Sequence, residues 1–449
     1  MNRLLILFIF FFIVFAAAGV RAESLAFINV NVIPMTRDVV LPARTVVVTD
    51  GRIAAIGPVA DTAVPDDAVL VDGTDRYLMP GLAEMHGHVT STAAEDLEPL
   101  FGLFLANGVT TVRGMLGRPS HLTLRDDLAA GRRIGPRLIT SSPSLNGNSV
   151  TSPAQADRLV RRFHADGYDF LKIHPGLTRA EFDRIAETAR ELGIPFAGHV
   201  PEDVGVAAAL EAGIATIDHL DGYMQALIER DLDPTGGFGG FFGLLLAGIA
   251  DEGRIAEVVA ATRDAGTWNV PTQTLFEHST NEVPPAEIAR WPEMKYVDDR
   301  TEAQWAATKR QLLGDRGFDR RIADRAIRLR RVLIAALHQG GAGLLLGSDS
   351  PQRFNVPGFA LHRELGLLVA AGLTPFEALQ TGTVNPARFF GVEADRGTVE
   401  PGKVADLVLL DENPLADIEN SRRVHGTMVA GHWLPRRELD RRLALAETG

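Results

Sequence analysis

Between residues 79 and 389, short apolar runs alternate with amphipathic stretches, and this regular alternation limits the chain to very few folds. Eight apolar runs occur in this region, and in order they are GLAEMHGHV (81–89), GVTTVRGM (108–115), PRLITSS (136–142), DFLKIHPG (169–176), PFAGHVP (195–201), ATIDHLD (215–221), NVPTQTLF (269–276) and GLLLGSDSP (343–351). The stretches between them carry helix signals, such as Thr178 with Glu181 three residues later and a stop at Gly193. Eight such repeats predict a (β/α)8 TIM barrel, an α/β fold with a closed parallel sheet.

The two ends of the chain have a different pattern, in which apolar and polar residues alternate with the period of β-strands. On the N-terminal side this pattern covers about residues 25–78 and includes Asp50-Gly51, a dipeptide typical of tight hairpins. It returns in GTVEPGKVADLVLLD (397–411). We therefore predict one small β domain built from the two chain ends, residues 23–78 and 390–435, beside a barrel domain of residues 79–389.

Residues 277–320 are too long for an ordinary loop between barrel elements. Because this insertion follows the seventh apolar run, we expect it to lie over the mouth of the barrel. The sequence leaves two interpretations open. The insertion is either a lid that shapes substrate choice or a helical addition without that role.

Residues 1–22 have the pattern of a secretory signal peptide. Arg3 precedes an apolar run from Leu4 to Phe15, and Val20-Arg21-Ala22 fits the small-x-small cleavage pattern. The run is shorter than the ~20 residues that a spanning helix needs. We therefore expect an exported protein, periplasmic or extracellular, without a stable membrane anchor after cleavage.

Composition narrows the classes of partner and of chemistry. The chain has no cysteine, which excludes disulfides and thiolate chemistry. The formal net charge is −12, and it becomes −14 when Arg3 and Arg21 leave with the signal peptide. Such an acidic balance argues against nucleic acid or an anionic membrane as partner. We expect a small-molecule substrate, and a homo-oligomer is compatible with the sequence.

Unusual polar residues occur at the ends of the predicted strands, where barrel enzymes collect their catalytic groups. His86 and His88 lie two residues apart, so both side chains face the same side of the first strand. The fourth, fifth, sixth and eighth runs add Lys172, His199, His219 and Asp349. A single buried histidine is usually a core residue, but six such groups at ordered strand ends predict a metal site.

This arrangement resembles the amidohydrolase superfamily, in which a (β/α)8 barrel carries one or two divalent metals. The stretch TGTVNPARFFGVEADRGTVEPGKVADLVLLDENPLADI (381–418) is also similar to that superfamily, so the resemblance spans nearly all of the chain after the predicted signal peptide. Within the superfamily, the chain is most similar to secreted imidazolonepropionase-like and prolidase-like members. Their fold implies that residues 23–78 and 390–435 form a companion β-sandwich.

The resemblance implies a role for each of the six residues. Two metals are implied, with His86 and His88 as ligands of the more buried metal, His199 and His219 as ligands of the second, a carboxylated Lys172 as the bridge, and Asp349 as ligand and general base/acid. Neutral imidazoles and anionic oxygens suit zinc, and a carboxylated lysine can span metals about 3.5–4 Å apart. The nucleophile is then a hydroxide between the metals, and Asp349 takes its proton and returns it to the leaving nitrogen.

The function predicted on this basis is metal-dependent hydrolysis of a non-ring amide bond in a dipeptide or an N-acyl amino acid, as in a prolidase-like or carboxypeptidase-like dipeptidase. One alternative is a mononuclear deaminase, or a hydrolase of a cyclic amide or lactone, with Glu202 as proton shuttle. An alternative of another class is a catalytically inactive binding protein. The filled ligand positions favour an enzyme.

Four further residues are candidates for substrate contact. His174 follows Lys172 by two residues and faces the same way, although it could instead cap a turn. Tyr223 could donate to an oxyanion or pack at the rim, and Arg113 could bind a carboxylate or form an ion pair below the metals. Gln273 is a candidate for lining the pocket. His362 and Glu364 are expected to be structural, with support of Asp349 as a further role.

Overall fold

The structure is a computed structural model that describes residues 24–228 and 239–448. The predicted signal peptide, residues 1–22, lies outside the described residues. Within the described ranges, no helix combines the length and the apolar character needed to cross a membrane.

Strands and helices alternate through most of the described chain. The strands are β1 (Ser24–Val32), β2 (Leu41–Thr49), β3 (Arg52–Pro58), β4 (Val69–Asp72), β5 (Tyr77–Pro80), β6 (Leu82–Gly87), β7 (Val109–Gly114), β8 (Arg137–Leu145), β9 (Phe170–Ile173), β10 (Phe196–Gly198), β11 (Thr216–Asp218), β12 (Trp268–Val270), β13 (Leu407–Leu410), β14 (Val424–Val429) and β15 (His432–Pro435). The α-helices are α1 (Ala94–Ala106), α2 (Pro119–Ala129), α3 (Pro153–Asp166), α4 (Arg179–Leu192), α5 (Gly205–Glu211), α6 (Tyr223–Ala226), α7 (Ile255–Asp264), α8 (Gln273–Thr280), α9 (Pro285–Ile288), α10 (Asp299–Leu313), α11 (Arg320–Gln339), α12 (Phe359–Ala370), α13 (Pro375–Gly382), α14 (Val384–Phe389) and α15 (Arg436–Ala446). Short 3₁₀ helices span Phe241–Gly248, Glu252–Arg254, Pro292–Tyr296 and Ile418–Arg422.

One mixed sheet combines strands from both ends of the described chain, in the order β15-β14-β13-β5-β1-β2-β3, with β4 pairing to β1. Asp50 and Gly51 join β2 to β3 with φ of 51° and 71°, the backbone of the two-residue hairpin turn that the sequence predicts. The sheet has its own apolar core, in which Phe27 of β1 packs edge-on against Trp433 of β15 with ring centroids 5.1 Å apart. The predicted joining of the two chain ends in one β unit is confirmed.

The second sheet is parallel and follows chain order from β6 to β12. Residues 343–350 close it into a ring. On one side the Met85 amide donates to Leu346 O at 2.8 Å, and on the other the Leu345 amide donates to Asn269 O at 2.8 Å. This segment makes isolated bridges to both neighbours rather than a regular strand. The predicted α/β barrel fold is confirmed, with its eighth strand in this irregular form.

Glu84 fixes the closure of the ring beneath the first histidine pair. Its buried Oε1 accepts hydrogen bonds from the backbone amides of His86 at 3.0 Å and of Ser348 at 2.9 Å, and the Ser348 hydroxyl donates to Oε2. Burial raises the pKa of Glu84 to about 8 in spite of these hydrogen bonds. The carboxyl group thus ties the end of β6 to the closing segment, and so sets the spacing between His86 and Asp349.

The insertion at 277–320 packs against the loop that follows the closing segment. Trp305 of α10 contacts the buried ring of Phe354 with centroids 5.8 Å apart, and Ile288, Met294 and Val356 complete this small core. Within the described part of the chain, the side chains that line the barrel cavity come from outside residues 277–320. The insertion therefore shapes the cavity through the loop that it supports and not by direct contact.

Candidate metal centre

One end of the barrel ring holds a cavity of about 460 Å³. Its lining includes five of the histidines and the aspartate that follow the barrel strands: His86, His88, His174, His199, His219 and Asp349. Each lies at or just beyond the carboxyl end of its strand or of the closing segment. Parallel strands deliver their carboxyl ends to the same rim, so residues far apart in sequence meet here.

Three of these residues form a tight and fully buried group. His86, His219 and Asp349 each offer a ligand atom within 4.8 Å of the others. His86 Nε2 lies 3.5 Å from Asp349 Oδ1, and His219 Nδ1 lies 3.8 Å from Asp349 Oδ2. Burial lowers the pKa of both imidazoles well below the ordinary value, so both rings are neutral and can act as ligands.

Asp349 remains ionised in this setting. Burial acts to raise its pKa, but the neighbouring His86, His88 and Lys172 outweigh burial and hold the pKa at about 2. Its Oδ1 is 2.7 Å from His88 Nε2. The backbone of Asp349 has φ of 60°, and its amide donates to His86 O at 2.7 Å. The aspartate is thus an anionic oxygen donor that lies next to His86, His88 and His219.

His199 and His174 extend the group toward the fourth and fifth strands. The ring of His199 lies 4.7 Å from that of His219 and is stacked on His174 at 5.0 Å. Asp221 Oδ2 is 2.9 Å from His199 Nδ1, so Nδ1 donates and Nε2 keeps its lone pair for a metal. His174 Nδ1 is 2.7 Å from Ser144 Oγ. The structure places His174 in the cavity wall, as predicted for a substrate contact.

Lys172 is buried beside this group and has no hydrogen-bond partner for its Nζ among the described residues. The nearest carboxylate oxygen, Asp218 Oδ2, is 3.9 Å away. Burial lowers the pKa of Lys172 to about 8. Gly198 leaves room for this side chain, because a Cβ there would lie 3.2 Å from Nζ and because its φ of +128° disfavours other residues.

Asp218 is a central residue that sequence reasoning missed. Its buried carboxylate accepts from Arg113 at 3.2 Å and from Thr216 Oγ1 at 2.8 Å, and it lies 3.0 Å from His86 Nδ1 in a geometry that does not form a hydrogen bond. Strand alternation predicts that Asp218 and His219 face opposite sides. The left-handed backbone of His219, with φ of 64°, breaks this alternation and brings both side chains to His86.

Three candidate substrate contacts lie outside the cavity lining, and Arg113 forms the ion pair that was its alternative role. Arg113 lies below the cavity, where it donates to Met85 O at 2.6 Å and pairs with Asp218. Tyr223 turns its hydroxyl to Thr262 and Asn269, at 2.9 and 2.8 Å. Gln273 is bound between Arg330 and Glu277. All three are buried with their polar atoms engaged by the fold, and none lines the cavity.

His362 and Glu364, considered as support for Asp349, and Glu202, considered as a proton shuttle, lie elsewhere. Glu364 accepts the backbone amides of Gln273 and Thr274 at 2.8 and 2.7 Å, and His362 bonds to Ser421 and to the Asn107 carbonyl. Both are structural, and neither contacts Asp349. Glu202 is exposed and does not line the cavity, so its position gives no support to the shuttle role.

The cavity wall contains apolar and cationic residues that sequence analysis did not single out, namely Leu116, Arg118, Phe241, Phe242, Leu275 and Arg353. Phe242 stacks on His219 with centroids 4.7 Å apart. The two phenylalanines belong to the glycine-rich stretch before α7, and Arg353 belongs to the loop after the closing segment. The sequence signal for these residues was their position in loops that follow barrel strands. A loop sequence does not fix the direction of its side chains, so this signal was not sufficient to place them in the cavity.

The donor set fits a divalent cation. Neutral imidazole nitrogens and a carboxylate converge in a buried space, which is the combination that zinc and related metals prefer. Two buried atoms next to it, His86 Nδ1 and Lys172 Nζ, have no hydrogen-bond partner within the described ranges. Buried polar atoms without partners are costly and are usual where an ion or a modification completes the site.

Comparison with known proteins agrees with this geometry. A model of the amidohydrolase family matches residues 77–434, which is most of the chain. The chain belongs to the amidohydrolase family. The match covers β5, the whole barrel and the C-terminal strands as far as β15. The resemblance drawn from the strand-end residues is confirmed.

Relatives within the family carry several different names. The chain is 23% identical to adenine deaminase 3 of Rhizobium meliloti (strain 1021) over 397 residues, 85% of this chain and 53% of that protein, so it spans about half of that relative. A structure from Bifidobacterium longum assigned as a prolidase is 25% identical with a TM-score of 0.69, covering 94% of this chain and 99% of that one. The bottromycin amidohydrolase structure is 25% identical with a TM-score of 0.70, covering 95% and 90%.

Proposed function

We propose that this amidohydrolase cleaves the amide bond of a dipeptide or an N-acyl amino acid, with two divalent metals, zinc by default, held by His86, His88, His199, His219, Asp349 and a carboxylated Lys172. The convergence of the four histidines and Asp349 in one cavity at the barrel rim carries the proposal. The similarity to a structure assigned as a prolidase supports the substrate class.

Lys172 supports a two-metal centre because its position suits carboxylation. Its Nζ is buried, has no hydrogen-bond partner among the described residues and lies next to the histidine group. Attack of the neutral amine on carbon dioxide forms a nitrogen–carbon bond and releases one proton. The product is an anion with two oxygens, and it replaces a costly buried ammonium with a group that ligates metals.

Asp349 is the residue that moves a proton in this scheme. Its low pKa keeps it ionised at neutral pH, so a carboxylate oxygen can accept the proton of the attacking water and later donate it to the leaving nitrogen. Divalent metals, when bound, supply the Lewis acidity that polarises the scissile carbonyl and acidifies the water. Asp221 holds His199, and Thr272 Oγ1 lies 2.9 Å from His219 Nδ1, so both rings keep fixed orientations.

The shape of the cavity supports a small, partly apolar substrate. Its volume of about 460 Å³ is within the usual range for small-molecule sites. Phe241, Phe242 and Leu275 give the cavity an apolar part, in which Phe242 stacks on the ring of His219. Such an apolar part suits the side chain of an amino acid or an acyl group.

A second candidate is a one-metal deaminase. The tightest group contains only His86, His219 and Asp349, and one of the sequence relatives is named an adenine deaminase. The buried Lys172 argues for two metals instead, since a one-metal site leaves its Nζ without a hydrogen-bond partner among the described residues.

Metal content and turnover together test the proposal. We expect the zinc-loaded full chain to hold close to two metals and to hydrolyse members of a panel of dipeptides and N-acyl amino acids. Lys172→Ala is expected to lose metal and activity, whereas Lys309→Ala, at a buried lysine of the insertion, serves as the matched control. Full metal content and full activity in Lys172→Ala contradict the two-metal scheme. Adenine turnover with one metal per chain supports the deaminase.

We also propose that the protein is exported, on the basis of the signal-peptide pattern in residues 1–22. Expression of the full chain in a bacterial host tests this. Cleavage near Glu23 and recovery outside the cytoplasm are the expected results, and an uncleaved chain in the cytoplasm contradicts export.

A further inference from the structure

Arg353 is a cation of the cavity wall that the metal chemistry does not use. It is half-buried, and the cavity lining contains one other arginine, Arg118, which is exposed. Among the described residues, neither guanidinium forms an ion pair with a carboxylate. Arg353 and Asp349 line the same cavity, and the negative charge of Asp349 acts to raise the pKa of the guanidinium, although the two groups form no salt bridge.

The guanidinium of Arg353 has a fixed orientation. Its central carbon lies 4.5 Å from the centroid of the Phe241 ring. Phe241 is itself stacked on Phe276, with nearly parallel rings 6.0 Å apart, and it touches Phe242 at 4.4 Å. An arginine held over an aromatic face keeps its in-plane N–H donors free, and those donors match the two oxygens of a carboxylate.

The backbone that carries Arg353 is strained. Asn355 N donates to Gln352 O at 2.8 Å, and the two central residues of this turn, Arg353 and Phe354, have φ of 48° and 68°. Such a turn normally takes glycine, asparagine or aspartate at both central positions. Arginine and phenylalanine have neither the missing Cβ of glycine nor the short polar side chain of asparagine and aspartate, which make this conformation less costly. Strain of this kind persists where the surrounding structure enforces it, and it points to a function at that position.

The surroundings of the turn enforce the strain. The Phe354 ring is buried against Trp305 of the insertion. The Asn355 side chain donates to Ser348 O and accepts from His278 Nδ1 at 2.8 Å. With one central side chain fixed in the core of the insertion, the other, Arg353, is directed to the cavity.

We propose that Arg353 binds a free carboxylate of the substrate, so that the hydrolysed amide belongs to a molecule carrying a carboxylate within reach of the metal group. This inference rests on the proposed function and narrows it. A dipeptide or an N-acyl amino acid offers such a group on the leaving side of the amide. Neutral amides of the same shape lack the carboxylate that Arg353 would bind.

Matched acids and amides test this assignment in the zinc-loaded full chain. The probes are the N-acetyl derivatives of methionine, phenylalanine and proline, and the same compounds as C-terminal amides, with release of acetate as the readout. In Arg353→Met, kcat/KM is expected to fall about 10- to 100-fold further for the acids than for the amides, the usual range for a charged hydrogen bond. The loss in Arg353→Lys is expected to lie between those of wild type and Arg353→Met, since lysine keeps the positive charge but lacks the paired N–H donors of the guanidinium.

Arg300→Met is the control, because Arg300 is an exposed arginine of α10 outside the cavity lining. Its acid-to-amide ratio is expected to stay within about fivefold of wild type, since exposed charges contribute little. Equal losses for acids and amides in Arg353→Met overturn the assignment. So does a wild-type protein with no preference for the acids.

Binding separates this assignment from the proposed function. If no probe is hydrolysed, calorimetric binding of the same acids and amides to the metal-loaded protein becomes the readout. Binding of acids that is weakened in Arg353→Met supports the carboxylate site even without turnover. Equal binding of acids and amides, or binding of neither, overturns it.

Discussion

Replacement of Arg113 by methionine is expected to destabilise the fold and not to weaken substrate binding selectively. The guanidinium donates to Met85 O, Thr216 Oγ1 and Asp218, and it lies between the rings of Phe170 and Phe389, each 5.5 Å away. The exposed fraction is 1% for Arg113 and 0% for Asp218. Methionine fills much of the same volume, but it leaves the Asp218 carboxylate buried without its charge partner.

The cost follows from that unpaired charge. Removal of one member of a buried ion pair costs about 3–5 kcal/mol, a large part of the 5–15 kcal/mol that stabilises a typical protein. Lys172 Nζ, 3.9 Å from Asp218, keeps part of the charge balance, so we expect a value near the lower end, about 3 kcal/mol. Urea unfolding of the metal-free protein measures this loss without the contribution of bound metal.

Two companion variants separate charge from packing. Arg113→Lys keeps a cation but loses the forked hydrogen bonds, so it is expected to cost less than Arg113→Met. Combining Arg113→Met with Asp218→Asn removes both charges and is expected to recover about half of the loss. A loss below about 1 kcal/mol in Arg113→Met, together with a raised KM specific to acidic substrates, would refute this reasoning and restore the substrate-binding role.

Three further outcomes are expected. Gly198→Ala should lower metal content and activity, measured by metal analysis and kcat, because φ is +128° and the new Cβ would lie 2.5 Å from Ile173 O and 3.1–3.2 Å from the Lys172 side chain. Unchanged metal content and kcat would contradict this prediction. Burial lowers the pKa of His362 to about 3 from its ordinary value of about 6.5, so below pH 6.5 the unfolded chain binds a proton that the folded chain does not. Stability therefore falls as the pH drops from about 6.5 toward 3, by up to about 1.4 kcal/mol per pH unit, and His362→Gln should show a shallower slope in urea titrations. Chelation should lower the melting temperature, since metal binds the folded state, and an unchanged melting temperature would contradict a bound metal.

Sequence periodicity was sufficient to predict the barrel architecture and the residues at the rim of the barrel. Apolar runs followed by helical stretches predict eight strands, and the residue at the end of a strand must face the barrel mouth. His86, His199, His219 and Asp349 follow from that rule alone, and the structure brings them into one cavity. The irregular closing segment could also be predicted, because Asp349 directly follows its apolar residues in the same way as the other site residues follow theirs.

Side-chain direction beyond the strand ends could not be predicted in the same way. Alternation along β11 fails at His219, where a left-handed backbone brings the neighbouring Asp218 to the same side. Tyr223 lies in the first turn of α6, and its hydroxyl finds partners in Thr262 and Asn269, which are distant in sequence. Such choices depend on packing between elements, and local periodicity contains no information about them.

The insertion supports a residue of the cavity wall without lining the cavity itself. Residues 277–320 contribute nothing to the cavity lining among the described residues, yet Trp305 holds Phe354 in a backbone conformation that phenylalanine disfavours. The neighbouring Arg353 inherits its direction from that constraint, and Phe241 then fixes the plane of its guanidinium. The metal ligands, in contrast, are positioned by strand ends and by the Glu84 cross-link. If Arg353 binds the substrate carboxylate as we propose, substrate selection and metal binding depend on separate structural supports.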